Sequence, residues 1–557
     1  IYPMRSIIES IYPEKERKLF TDREIELALL DRNTQRILDG SGENICFIGL
    51  RRVGKSLTLK QYISKLDNDQ VFAVYMDFER LDTTPEFFSV QYAGQILRWF
   101  MNDENLAPYL DIATLVKKIA DIKSEIARNT IYAFFDELNK ARPNQRLMLE
   151  LAFDFPEKFA KEQNINIVLF LDEFQRLKEI DNFPQIRDVL GLFRSVLQTQ
   201  SKTHYVVAGS AIRMLERIFQ EADSPLFAQF RVERVSFFEK KASFELASKI
   251  TGSQNPGVME MIYKLSSGHP YYIYSICQRM NEIGEINVNG ARKAFALEAL
   301  LRNGSINLMC KYVFESSMSR VRGEALLKTI IRVLAKEDGK KISEISRAIK
   351  RKEGTTRNML ERLCDIDLIV KEDKLYYFRD PVLRYWIMNV YEGVEFDALP
   401  GKKVLEDMVR DIEEKFEKTS TELGIAKEYE LKYSFEKYLE MHLDKYLKDN
   451  IEFDLVGIKE NMVYIFEIKW RMKETGYKDI EKFLAKVNIS EFAGKQKRLI
   501  FISKRGFTEQ AVEYAKTENI VIIKEKEILE IKRLMIENSK QISHPDKIEL
   551  RSDRSNA

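Results

Sequence analysis

The chain has 557 residues, 45% hydrophobic and 32% charged, too long for one hydrophobic core, so about three or four domains are expected. Its formal net charge is only +2, so overall charge does not announce a nucleic-acid partner and any such surface must be a local patch. No apolar run approaches the roughly 18 residues of a membrane span, no signal-peptide pattern opens the chain, and its scattered cysteines and histidines leave no zinc-ligand spacing; the expectation is a cytoplasmic protein without a membrane partner, whose metal chemistry rests on carboxylates.

In chain order, Phe20-Thr21-Asp22-Arg23-Glu24 predicts the start of an amphipathic helix reaching about Leu38, with Thr21 or Asp22 at its N-cap. An apolar strand, Ile45 to Ile48, leads into Gly49-Leu50-Arg51-Arg52-Val53-Gly54-Lys55-Ser56 and then helix-forming residues from Leu57 to Lys65. This is the strand, glycine loop and helix of a phosphate-binding loop. A triphosphate must approach the backbone closely, so Gly49 and Gly54 exclude a Cβ, and the amides of Arg52, Val53 and the helix start through Leu57 face the anion with the helix dipole behind them. Lys55 supplies charge to the β- and γ-phosphates and the Ser56 hydroxyl ligates Mg²⁺. The implied ligands are ATP and Mg²⁺.

A second strand is expected over Val71 to Phe78, then helices without a strand from Pro85 to about Gln163. Ile165 to Leu171 reads as a buried parallel strand that ends in Asp172 and Glu173, at the edge where open α/β sheets bind ligands. Asp172 is placed to hold the Mg²⁺ shell and Glu173 to polarise the attacking water; the alternative is a strand end with solvated charges. A further strand, His204 to Gly209, ends at Ser210, which suits a γ-phosphate sensor on a strand lying between the two others, or an N-cap for the helix after it. Arg231 and Arg234 suit a trans-acting arginine finger. Helices follow from Lys240 to Leu300, interrupted by Gly268-His269-Pro270, which reads as a cap and helix start and could bring His269 towards the nucleotide.

These motifs, in this order, resemble the archaeal P-loop ATPase family, a branch of the AAA+ and STAND-type NTPases. The resemblance rests on Phe20 to Glu24, Gly49 to Ser56, Leu171-Asp172-Glu173-Phe174-Gln175, Gly209-Ser210 and Gly268-His269-Pro270, and runs to about Tyr391. It implies ATP hydrolysis on an ASCE-type parallel sheet with a helical lid. Where the family commonly has Gly-Arg after Pro-Leu-aromatic, this chain has Ala228-Gln229, a departure that weakens any arginine-finger role near that point.

Downstream, Ala325 to Leu334, Lys341 to Ile349 capped by Ser343, and Arg357 to Cys364 read as three helices, followed by strands at Leu368 to Val370 and Leu375 to Phe378: the winged helix-turn-helix pattern. Arg347, Lys350, Arg351, Lys352 and Arg357 surround one acid, Glu353, and suit DNA phosphate contacts. The same module can instead dock protein, with the charge run as a solvated face.

Past Gly401 the pattern becomes helix (429–446), strand (Ile451 to Val456), strand (Met462 to Trp470), helix, strand (Arg498 to Ser503), helix and strand (Ile520 to Ile523). Glu467 and Lys469 stand on one face of an otherwise apolar central strand, where unpaired burial would cost roughly several kcal/mol. With Asp454 on the preceding strand they resemble the PD-(D/E)xK nuclease constellation. That resemblance implies Mg²⁺ or Mn²⁺ held by Asp454, Glu467 and the Ile468 carbonyl, a water activated by Lys469, and Glu436 as an additional acid. The alternative is a structural salt bridge in an inactive nuclease-like domain.

The expected architecture is α/β: a P-loop ATPase core over 1–238 with a helical insertion at about 85–163, a helical lid over 239–320, a winged helix over 321–398, a restriction-endonuclease-like domain over 402–540 and a flexible tail over 541–557. The function expected is a nucleotide-switched, DNA-engaging ATPase with a metal-dependent nuclease domain, able to form a homo-oligomer on binding ATP. The alternatives are a DNA-binding regulator that does not cut, and an ATP-dependent oligomeric signalling scaffold.

Overall fold

The computed structural model describes residues 5–321, 323–372, 374–390, 393–397, 399–401, 403–410, 412, 435, 436, 439, 441–448, 451–469, 474–503, 506–524 and 527. The chain divides into two compact units, Ile1–Val409 and Arg410–Ala557.

The first unit is built on strands β1 (Ile45–Ile48), β2 (Val71–Asp77), β3 (Asn166–Asp172), β4 (Thr203–Gly209) and β5 (Arg231–Arg234), all parallel, in the order β2-β3-β4-β1-β5. The apolar runs of β1 and β3 are buried along their whole length, as strands covered on both faces must be, whereas the charged β5 takes the edge. β4 lies between β1 and β3, with Ile48 beside Gly209 and Leu171 beside Val207. The tips of the phosphate-loop strand, the acidic strand and the Ser210 strand therefore end together.

The stretch after β2 is helical throughout, as its sequence predicts. Pro85 opens Pro85–Phe100, and the side chains of Asp111, Ser124 and Asn144 cap Ile112–Lys118, Glu125–Leu138 and Gln145–Gln163. Trp99 ties this layer to the sheet by donating its indole N–H to the Tyr75 carbonyl at 3.0 Å, and within the layer Phe88, Tyr92 and Phe153 pack on one another.

Five helices follow β5, Lys240–Thr251, Pro256–Ser266, Pro270–Ile283, Val288–Leu300 and Ser305–Met318, then Glu324–Lys336, Ile342–Ala348 and Glu353–Asp365. Strands β6 (Lys340–Lys341), β7 (Ile369–Glu372) and β8 (Leu375–Phe378) form an antiparallel sheet in the order β6-β8-β7, and Pro381–Val390 closes the unit.

Three local expectations are corrected. The first long helix starts at Glu24, and neither Thr21 nor Asp22 caps it: Asp22 and Arg23 both take left-handed backbone, with φ 65° and 76°, and the Thr21 hydroxyl bonds the Leu19 carbonyl. Ser343 is not a cap either; Lys341 stands at that position and its N–H is satisfied by the Glu344 carboxylate at 2.7 Å. The third helix begins at Glu353 rather than Arg357, with the Thr356 N–H and hydroxyl both bonding back to the Lys352 carbonyl inside the first turn.

The second unit holds β9 (Asp444–Lys448), β10 (Ile451–Lys459), β11 (Met462–Lys469), β12 (Lys497–Ser503) and β13 (Ile520–Lys524) in the order β13-β12-β11-β10-β9. β9, β10 and β11 are antiparallel neighbours, while β11, β12 and β13 run parallel, joined by the crossover helices Tyr477–Ile489 and Glu509–Thr517. This mixed sheet is the restriction-endonuclease-like arrangement. β9 corrects the expected helix over 429–446 at its C-terminal end: Tyr446 packs on Phe453 and Phe492, a sheet-face role that its helical spacing concealed. Most of that helix, Trp470 and the expected tail lie outside the described residues.

Glu157 anchors the helical layer to the sheet. Its carboxylate accepts the N–H groups of Ser201 at 3.0 Å and Lys202 at 2.9 Å, just before β4, and pairs with Lys161 at 2.8 Å. Burial opposes ionisation, but these bonds prevail and pull its pKa down to about 2 from 4.5. The depressed value means that the ionised form stabilises the fold above the unfolded pKa, by on the order of 3 kcal/mol, and that this is lost as pH falls from about 4.5 towards 2. The urea midpoint of the wild type should exceed that of Glu157→Gln at neutral pH, and the gap should close across that acid window.

Candidate functional site

The loop after β1 carries the backbone that its sequence requires. Gly54 has φ 106°, and a Cβ on Gly49 would collide with the Val235 carbonyl. Arg52, with φ 58°, takes left-handed backbone despite its side chain, whose guanidinium lies 4.3 Å from the centre of the Tyr271 ring. Arg51 pairs with Glu79 and lies 4.7 Å from the centre of the Tyr312 ring. Leu57 is exposed on the outer side of the helix Lys55–Lys65.

Lys55 is buried, and its ammonium donates to the carbonyls of Gly49 at 2.8 Å and Leu50 at 2.9 Å. Burial pulls its pKa down, against the attraction of Glu173 and Asp172. The His269 ring is also buried, and burial pushes its pKa down to about 3, so it is neutral. Its Nδ1 accepts the Tyr271 N–H at 3.2 Å, which leaves the proton on Nε2 to donate to the Arg51 carbonyl at 3.1 Å. Arg23 donates to the Val53 carbonyl at 2.7 Å. The loop thus turns four carbonyls to protein donors.

At the tip of β3, Asp172 is buried and accepts the Tyr75 hydroxyl at 2.8 Å, with the Ser56 hydroxyl as a further hydrogen-bond partner. Burial, reinforced by the neighbouring Glu173 charge, raises its pKa. The two residues expected to share Mg²⁺ are therefore together. Glu173 has φ 51°, and its Oε2 accepts the Ser210 hydroxyl at 2.8 Å and the Gln175 amide. Ser210 is not the helix cap: Ala211 stands at that position, and Asp367 from the turn before β7 accepts the Arg213 N–H at 3.1 Å. The buried cation, the glycine-bounded loop and the hydroxyl–carboxylate pair fit a triphosphate with a hard divalent cation. Arg231 and Arg234 lie in β5, with Glu233 at 2.7 Å from the first and Glu216 paired to the second. The chain's own carboxylates hold both.

Arg347, Lys350, Arg351, Lys352 and Arg357 are all exposed, around the turn between Ile342–Ala348 and Glu353–Asp365, where Lys350 has φ 54°. Among the described residues no ion pair ties up any of the five.

In the second unit, Asp454 on β10 accepts the Ile468 N–H at 2.6 Å, which fixes it one register step from the Leu455–Phe466 pair and opposite Glu467. Glu467 is buried, and its Oε1 accepts the Lys469 ammonium at 2.6 Å. Lys486, on the helix Tyr477–Ile489, also donates to Glu467, at 3.0 and 2.8 Å. Glu436 accepts the Leu443 N–H at 2.9 Å and meets His442 at 2.8 Å, on the approach to β9. Among the described residues no three His, Cys, Asp or Glu side chains form a metal cluster. Two carboxylates and a carbonyl nevertheless fit a magnesium-like ion, which keeps much of its shell in water and substrate oxygens.

Sequence reading missed Arg23, Tyr75, Gln175 and Lys486. Arg23 and Gln175 stand inside the motifs Phe20 to Glu24 and Leu171 to Gln175, which marked them without assigning a role; Tyr75 and Lys486 reach their sites from other elements.

Residues 20–276 match a family model described as an ATPase domain predominantly from Archaea, and residues 416–531 match that of a restriction endonuclease. The chain carries an N-terminal P-loop ATPase domain and a C-terminal restriction-endonuclease-like domain. Solved structures similar to it include the Walker-type ATPase PABY2304 of Pyrococcus abyssi, at 18% identity and TM-score 0.48 over 68% of this chain and 97% of that one. The Aeropyrum pernix ORC2 protein in ADPNP–ADP complexes matches at 14% identity and TM-score 0.41, over 70% and 98%. The Thermotoga maritima RuvB Holliday junction branch migration motor matches at 15% and 0.33, over 70% and 100%. No curated protein matches the chain.

The two donors on Glu173 Oε2 generate a test. Gln175→Leu should leave ATP affinity unchanged and lower turnover on the order of tenfold, the scale of one net hydrogen bond. Steady-state hydrolysis assays with a parallel nucleotide titration separate the two quantities.

Proposed function

We propose that the chain is an ATP-hydrolysing, nucleotide-switched DNA-binding protein whose C-terminal domain cleaves phosphodiesters with Mg²⁺ or Mn²⁺. The observation that carries the nuclease part is the acid–acid–lysine set on one hairpin, Asp454 opposite a buried Glu467 with Lys469 on its oxygen, inside the segment that matches a restriction endonuclease. In this reading the domains are those expected: core 1–238, lid 239–320, winged helix 321–398, nuclease 402–540.

In the ATPase, Lys55 and the loop amides hold the β- and γ-phosphates, Ser56 and Asp172 hold Mg²⁺, and Glu173 takes a proton from the attacking water at the carboxylate that Ser210 and Gln175 orient. Arg347, Lys350, Arg351, Lys352 and Arg357 contact DNA phosphates, with affinity that falls steeply with salt. The switch reading is supported by the link from the Ser210 strand to the basic module: Asp367 receives the Arg213 N–H, and Asp365 pairs with Arg217, both on the helix Ile212–Gln220. Homo-oligomerisation on binding ATP belongs to the same reading.

At the nuclease site, Asp454, Glu467 and the Ile468 carbonyl would hold the cation, which lowers the pKa of a bound water and offsets phosphate charge. Lys469 orients that water and donates to the phosphate. A second reading, DNA binding without cleavage, is favoured by one observation: Lys486 occupies both oxygens of Glu467.

The test incubates supercoiled, linear and branched DNA with Mg²⁺ or Mn²⁺, with and without ATP. Wild type should cut, Asp454→Ala should not, and Lys55→Ala should lose nucleotide binding and the ATP dependence of cutting. Cutting that survives Asp454→Ala would remove the proposed centre. Binding without cutting under every condition would favour the second reading.

A further inference from the structure

The sequence motif Phe20 to Glu24 has no role in the reactions above, yet its arginine is buried against the phosphate loop. Arg23 is 5% exposed and stands at the N-cap position of Glu24–Leu38 without capping it. One nitrogen of its guanidinium donates to the Val53 carbonyl at 2.7 Å and to the Ser236 carbonyl at 2.9 Å, just past β5. Its nearest carboxylates, Glu26 at 3.6 Å and Asp22 at 3.9 Å, lie beyond hydrogen-bond distance. The short bonds therefore go to the loop and not to the acids. The guanidinium carbon lies 4.7 Å from the centre of the Phe238 ring, and Nε would lie 3.8 Å from a Cβ on Gly54. Asp22 and Arg23 are both left-handed non-glycine residues, an unfavourable pair of conformations that aims the side chain at the loop instead of into a cap.

Peptide geometry converts this contact into a statement about the ligand. The C=O of Val53 and the N–H of Gly54 belong to one planar trans unit, so they point in opposite directions. A donor that holds the carbonyl on the protein side holds the amide on the phosphate side. We infer that Arg23 is a positioning residue for the nucleotide, which fixes the Gly54 N–H towards the phosphates by clasping the Val53 carbonyl and tying it to the chain leaving β5. It acts through the backbone and does not touch the ligand. The inference rests on the nucleotide-binding reading above and adds a residue to it.

The experiment compares wild type, Arg23→Met and Arg23→Lys as full chains. Methionine keeps the apolar contact with Phe238 and removes the donors; lysine retains a cation that can reach a carbonyl. Calorimetry gives the Kd for ATP and for ADP, hydrolysis assays give KM and kcat, and thermal unfolding is measured without nucleotide. Arg23→Met should weaken both nucleotides by about tenfold or more, with the loss in KM rather than kcat, and Arg23→Lys should recover part of it. A lowered unfolding temperature with unchanged Kd and KM means a purely structural arginine and overturns the proposal, as does a loss in kcat alone. If Arg23→Met does not fold, an unchanged Kd in Arg23→Lys overturns it and a raised Kd supports it. A wild type that binds neither nucleotide overturns the nucleotide reading together with this one, whereas a wild type that binds alongside equally competent variants overturns only the role of Arg23.

Discussion

A loop that binds an anion through its amides must keep its carbonyls turned away from that anion, and much of the first unit is arranged around this constraint. Lys55 holds the carbonyls of Gly49 and Leu50, His269 that of Arg51, and Arg23 that of Val53. The three donors come from the loop's own helix, from the start of the helix Pro270–Ile283 and from the turn before the first long helix. The glycine positions follow from the same requirement: Gly49 has the Val235 carbonyl where its Cβ would be, and Gly54 sits at φ 106°. An isolated helix start would offer amides with little control over their direction; here each peptide plane is set from behind. Such preorganisation spares the ligand the work of ordering the loop.

Strand order does the same for the reacting end. Because β4 lies between β1 and β3, Ser210 arrives beside Glu173 and not at a sheet edge. The helix that follows Ser210 has no cap of its own, and Asp367 supplies one from the turn ahead of β7. Burial raises the pKa of that carboxyl to about 6, with Arg379 at 3.5 Å opposing the rise. A carboxylate held on a helix N-terminus is stabilised by the dipole and by the N–H it satisfies. The basic turn between Ile342–Ala348 and Glu353–Asp365 is thereby connected, through Asp365 and Asp367, to the helix that starts at the nucleotide end of β4.

What the sequence made legible follows the range of the interactions involved. The phosphate loop, the acidic tip of β3, the helical stretch after β2 and the order of β10 to β13 were all written in local patterns, apolar runs with charges at their ends, and these elements fold where the pattern places them. The local pattern also misled. Asp22 looks like a cap by residue type, but the turn that aims Arg23 inward makes Asp22 left-handed and leaves it unable to cap. Asp444 to Tyr446 reads as the end of a helix, yet pairing with β10 and the aromatic contact of Tyr446 with Phe492 outweigh local preference. Arg23, Tyr75 and Lys486 act across 30, 97 and 19 positions of sequence, and no periodicity encodes such contacts.

The least expected of these, Lys486, changes how the second site balances its charge. A buried glutamate beside one lysine would be a pair with a large desolvation penalty and one compensating contact. Glu467 instead has two ammonium groups, and both lysines keep about a third of their side chains exposed, so most of the desolvation falls on the carboxylate alone. Together with Asp454 the set comprises two carboxylates and two ammoniums, formally neutral. A neutral set has no surplus negative charge with which to hold a divalent cation by itself. In the proposed nuclease reading, the missing charge is that of the DNA phosphate, which fits an ion that draws most of its ligands from substrate and water. Cation and nucleic acid would then enter as partners, each supplying the charge the other requires, and Lys486 is the residue that makes the site depend on both.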